Sequence, residues 1–138
     1  GSDNPWEMKL VRGGLLDIEF IAQFLQLAHA TDTAKVLHPN ICTALSNLAR
    51  AGHLSRQDAD KLIAASGLYR DLMALFRVSV VGEFDPSAAP RGMVNAVLRI
   101  SEAADLEQLE KRLLQTQADV LAAFERIVTA AAGTDEDG

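Results

Sequence analysis

A chain of 138 residues is the size of one domain and can bury about two thirds of the surface its unfolded form exposes. Its 49% hydrophobic but only 5% aromatic residues suit helices packed through Leu, Ala, Val and Ile. With 19 acidic against 13 basic side chains the net charge is −6, which leaves no basic stripe for a phosphate backbone; no apolar run reaches the roughly 18 residues of a membrane span.

Taken in chain order, the first feature is Lys9-Leu10-Val11-Arg12-Gly13-Gly14, a basic approach ending in two glycines. The glycines fit a tight turn that lets a helix pack closely. With Lys9 and Arg12 they equally fit an anion-binding helix entrance or an interdomain contact. The first helix is expected over residues 15–30, apolar over most of its circumference and therefore the buried central one. On it Glu19, Gln23 and Gln26 share a narrow polar face, a candidate interface. Asp17 falls on the other side, among Leu16, Phe20, Ile21, Phe24 and Leu27. A carboxylate there needs a partner. One reading gives it the free N–H groups of the first helical turn. The other is a buried ion pair with Arg12, Arg70 or Arg77, the last two being two turns apart on the third helix.

Residues 31–37 form a connection, and Pro39 is expected to open a second helix carrying Ile41, Leu45 and Leu48 and ending at Ala51-Gly52. Ser55-Arg56-Gln57-Asp58 reads as a capping-box start for a third helix through Leu62, Ala65, Tyr69, Leu72, Phe76 and Val80. Residues 82–92, with two glycines and two prolines, form a break. A short helix follows over 90–102. Asp105, with Gln108 as a reciprocal cap, begins a long last helix whose seam is Leu106, Leu109, Leu113, Val120, Phe124, Ile127 and Ala131, with Thr116 as its polar member. The expected fold is an all-α bundle of about five helices, with no sheet. Residues 9–132 make the bundle and 133–138 a disordered acidic tail. Cys42 is the only cysteine, which fits a reducing cytoplasm, and His29, His38 and His53 lack metal-ligand spacing.

As a string, Gly13-Gly14-Leu15-Leu16-Asp17-Ile18-Glu19-Phe20-Ile21-Ala22-Gln23 resembles the signature of a helical domain that follows a nucleotidyltransferase domain in two nitrogen-regulatory enzymes. These are the glutamine synthetase adenylyltransferase/deadenylylase and the uridylyltransferase of the PII signalling protein. Downstream, the block from Asn40 to Leu48 followed by Ala51-Gly52-His53-Leu54, and Leu68-Tyr69-Arg70-Asp71-Leu72, are similar to further family elements. The arginine of the last is displaced. Position 16 is Leu where the uridylyltransferase and the deadenylylating half usually carry Arg, so the adenylyltransferase C-terminal domain is the nearer resemblance.

The resemblance implies a parent enzyme that transfers AMP from ATP to a tyrosine of glutamine synthetase, using Mg²⁺. Glutamine synthetase and PII would be its partners. Residues 1–8 would be a tag scar and the junction with a missing nucleotidyltransferase domain, leaving Trp6 and Met8 exposed. Such catalytic domains use a Gly-Ser near a strand and an Asp-x-Asp pair to hold Mg²⁺. The expectation is that both are missing here, so the chain alone is a non-catalytic domain without a cofactor or metal of its own. Alternatives are the helical domain of the uridylyltransferase, or a free-standing helical interaction module.

Overall fold

Five helices appear in the computed structural model, which describes residues 3–29, 38–79 and 84–131: α1 (Leu15–His29), α2 (Ile41–Arg50), α3 (Arg56–Ser79), α4 (Arg91–Ser101) and α5 (Leu106–Phe124). A π-helical turn, Glu125–Thr129, extends α5. Among the described residues there is no strand, as the helical periodicity predicts. The expected connection over 31–37, Val80 and Gly82, and the acidic tail at 133–138 lie outside the described residues.

Three of the helix starts have a side-chain cap. Asn40 rather than Pro39 opens α2: its side chain accepts the Thr43 N–H at 3.0 Å, so the proline precedes the helix instead of joining it. The helix closes over Ala51 and Gly52, where φ of +85° suits glycine. Ser55 caps α3 by accepting the Asp58 N–H at 3.0 Å. Asp105 caps α5 through the Gln108 N–H at 2.8 Å, and Gln108 returns to the N–H of Ala104, one residue earlier than a reciprocal cap would.

The central helix is α3, not α1. It touches each of the other four, whereas α1 leaves Leu16, Phe20 and Leu27 exposed and buries Ile18, Ile21, Ala22 and Leu25. Around α3, Leu62, Tyr69 and Leu72 meet Leu45 and Leu48 of α2, Val97 of α4, and Leu109 and Leu113 of α5 in one continuous core. The polar member of the α5 seam is Gln117, which is buried, while Thr116 turns its hydroxyl back to the Arg112 carbonyl.

The segment before α1 belongs to the core. Trp6 is 7% exposed and Met8 1%, against the expectation of an exposed junction. The indole lies 4.9 Å from the Phe84 ring, which stacks on Phe76 at 4.4 Å. Gln117 Nε2 donates to the Pro5 carbonyl at 2.8 Å, tying this segment to α5. An apolar pair ahead of a helix has no period to reveal its burial, so only the tertiary contact shows it.

Two side chains of α3 carry predictions. Asp58 receives both terminal nitrogens of Arg126, at 2.9 and 3.2 Å, and so fastens the π-helical turn to α3. The guanidinium holds the Asp58 carboxyl below the usual carboxylate range. A lowered folded pKa stabilises above the unfolded value of about 3.9, and the benefit is lost as pH falls through the lower folded value. With Arg126 mostly exposed, the pair contributes about 1 kcal/mol. Urea unfolding of Asp58→Asn at pH 7 should show that loss, and the gap to wild type should narrow progressively as the pH falls below about 4. Ser66 is fully buried, and its hydroxyl has no hydrogen-bond partner among the described residues. Ser66→Ala removes a desolvated donor from a helix interior and should raise the unfolding free energy by about 1 kcal/mol, read from the thermal midpoint.

Candidate functional site

The glycine pair sits where four elements converge. Gly13 has φ of +80°, and a Cβ built on it would lie 1.9 Å from the Gln117 carbonyl oxygen of α5. A Cβ on Gly14 would lie 2.2 Å from the Met8 carbonyl oxygen. Both positions are buried, and only hydrogen side chains let the turn pass between α5 and the preceding segment.

Four successive N–H groups at this helix entrance are taken by the chain itself. Gly13 N–H donates to Asp17 Oδ2 at 2.6 Å, and Gly14 N–H to the Val11 carbonyl at 2.8 Å. The Leu15 and Leu16 N–H groups reach the Met8 and Lys9 carbonyls at 2.7 and 3.2 Å. Four of the donors that could bind a phosphate or carboxylate at a helix N-terminus are thereby consumed. From the other side, the Tyr69 hydroxyl donates to the Gly13 carbonyl at 2.8 Å in a buried hydrogen bond. Burial pushes the phenol pKa up, and the negative charges of Asp17 and Asp119 push it further, so it remains a protonated donor. One residue, Gly13, is therefore locked through both its flanking peptides: Asp17 of α1 takes its N–H and Tyr69 of α3 donates to its carbonyl.

The sequence-derived candidates divide accordingly. Asp17 is half-buried and takes the backbone reading, with Gly13 as partner. Arg70 and Arg77 are exposed on α3, and no ion pair joins either to Asp17 among the described residues, so the buried ion pair is not formed. Lys9 and Arg12 are exposed, and Arg12 stands 3.9 Å from Glu125. Gln23 is exposed and Glu19 half-buried, whereas Gln26 is buried and accepts the His38 N–H at 2.7 Å, so the three do not present one exposed face. Two members of the lock escaped sequence reasoning in that role. Tyr69 looked like an ordinary core position, and Gln117 is adjacent to the threonine chosen for the seam.

Contrary to the expected absence, the string Asp-x-Asp occurs at Asp58-Ala59-Asp60, and again at Asp135-Glu136-Asp137, outside the described residues. The first lies on a helix: Asp58 is held by Arg126 and Asp60 stands 3.6 Å from Arg56. Residues two apart on a helix point about 200° from each other, so the two carboxylates do not converge on one ion. Among the described residues no group of three or more His, Cys, Asp or Glu could hold a metal. No described helix is long and apolar enough to cross a membrane.

The family model for GlnD PII-uridylyltransferase matches residues 4–79, more than half of the chain and all of the lock except Gln117. The chain belongs to that family. Across its greater length it is similar to curated proteins of another name within the same resemblance. It is 41% identical over 93% of its residues to a bifunctional glutamine synthetase adenylyltransferase/adenylyl-removing enzyme of Rhodopseudomonas palustris (strain BisB5). To proteins of that name from Bradyrhizobium diazoefficiens and Agrobacterium fabrum it is 36% and 35% identical over 93% and 91% of its residues. The chain spans 13% of the length of each of these relatives. No solved structure matches it. The start of the family match at residue 4 takes in Trp6 and Met8, in keeping with their burial in this bundle.

Proposed function

We propose that this chain is the helical domain of a bifunctional enzyme of the kind its relatives are named for, and that it supports catalysis without performing it. In this reading a nucleotidyltransferase domain elsewhere in the same polypeptide transfers AMP from ATP to a tyrosine of glutamine synthetase, with Mg²⁺, in the cytoplasm. The helical domain is a rigid support for that domain, and glutamine synthetase and PII are the enzyme's partners. The observation that carries the reading is the 41% identity over 93% of the chain to an adenylyltransferase. The inward use of Gly13, Gly14, Asp17 and Tyr69 supports a structural role for the signature. The Gly13 and Gly14 N–H groups are engaged within the chain, which leaves the exposed Lys9 and Arg12 to carry a nucleotide-edge or interdomain contact.

The test compares the full-length polypeptide with the 138-residue chain, each given ATP, Mg²⁺ and glutamine synthetase. AMP should be transferred by the full-length protein and not by the short chain. Transfer by the short chain would overturn the supporting role. A full-length polypeptide without transfer or removal activity would overturn the parent assignment.

A further inference from the structure

Among the described residues, the outward side of α1 is largely uncovered. Leu16, Phe20 and Leu27 lie four and seven residues apart, within about 40° of one another around the helix. They are 42%, 50% and 79% exposed. At one end the stripe runs into a cleft of about 410 Å³ whose apolar lining is Leu10, Leu121 and Phe124 and whose polar lining is Arg12, Asp17, Glu125 and Thr129. Phe20 joins the two, its ring 5.7 Å from that of Phe124, and Leu10 adds a side chain that is 55% exposed. The π-helical turn that starts at Glu125 forms one wall of this cleft.

We infer that the stripe Leu16–Phe20–Leu27 and the adjoining cleft are the surface on which another domain of the same polypeptide docks. This rests on the proposed function, in which the chain is part of a larger enzyme. One fact selects a tethered occupant over a second copy of the chain. The chain spans only 13% of the length of its relatives, so most of such a polypeptide lies outside it. Leu10, Leu16, Phe20 and Leu27 offer roughly 400 Å² of apolar surface, about the apolar share of the 800 Å² per partner that a standard interface buries. A covalent tether raises the local concentration to about the millimolar range, where a patch of that size suffices. The occupant should therefore present an apolar ridge to the stripe, with polar groups at its edge opposite Arg12 and Glu125.

The test is cysteine accessibility in the full-length polypeptide. Phe20→Cys and, separately, Leu27→Cys are alkylated in native buffer and in urea, and modification at that position is followed by mass spectrometry. Leu27 is so exposed that its replacement leaves the bundle intact, which guards against a Phe20→Cys variant that misfolds. At both positions native labelling should be at least ten-fold slower than in urea, and unchanged on hundred-fold dilution. Native labelling within two-fold of the denatured rate would overturn the inference. Protection that disappears on dilution would also overturn it, by assigning the face to a second copy. AMP transfer is assayed separately on the same preparations, so a loss of the parent assignment is distinguishable from a loss of the docking face.

Discussion

Gly13→Ala should lower the unfolding free energy by at least about 3 kcal/mol, enough to leave a marginally stable domain largely unfolded at physiological temperature. Two costs add at this position. The backbone holds φ of +80°, which disfavours any residue with a Cβ. That Cβ would also lie 1.9 Å from a backbone oxygen of α5, an atom that cannot turn aside as a flexible side chain could. Relief requires α1 and α5 to separate, which disturbs the hydrogen bonds from Asp17 and Tyr69 together. Circular dichroism with urea should show an early transition or a loss of cooperativity. A variant within about 1 kcal/mol of wild type would mean that the turn can relax and that the close packing is not required.

Trp6→Ala should cost about 3–5 kcal/mol, the range for removing a large aromatic side chain from a core. The indole is 7% exposed and packs against Phe84 and Phe76. As the only tryptophan of the chain, it also reports on itself: its emission should be blue-shifted in the native state and move to longer wavelength on unfolding. An exposed junction residue would instead show solvent-like emission, and its truncation would cost less than about 0.5 kcal/mol.

These two positions show what the sequence makes legible. The helices were readable because caps and periodicity are local: Ser55, Asp105 and the run of spacings three and four along α3 mark their elements without reference to anything distant. The turn at Gly13-Gly14 was readable as unusual, but not the reason for it. That reason depends on Gln117 more than a hundred residues away and on Tyr69 from a third helix. The burial of Trp6 was hidden for the same reason, since Phe84 and Phe76 come from elements distant in sequence. Helix α1 misled because it is apolar nearly all round. Periodicity could not tell the stripe that packs inward, Ile18, Ile21 and Leu25, from the stripe that faces out, Leu16, Phe20 and Leu27.

Asp17→Ala gives the most direct measure of whether the signature holds the bundle together. The carboxylate accepts the Gly13 N–H at 2.6 Å, and its removal leaves a buried backbone donor unsatisfied at the tightest point of the fold. Urea unfolding of the 138-residue chain, followed by circular dichroism beside the wild type and Arg12→Ala, should show a loss of about 1.5–3 kcal/mol for Asp17→Ala. Arg12→Ala, with an exposed side chain, should stay within about 0.5 kcal/mol. The contradictory result is Asp17→Ala as stable as wild type, which would free the carboxylate and the glycine turn for a role at another surface.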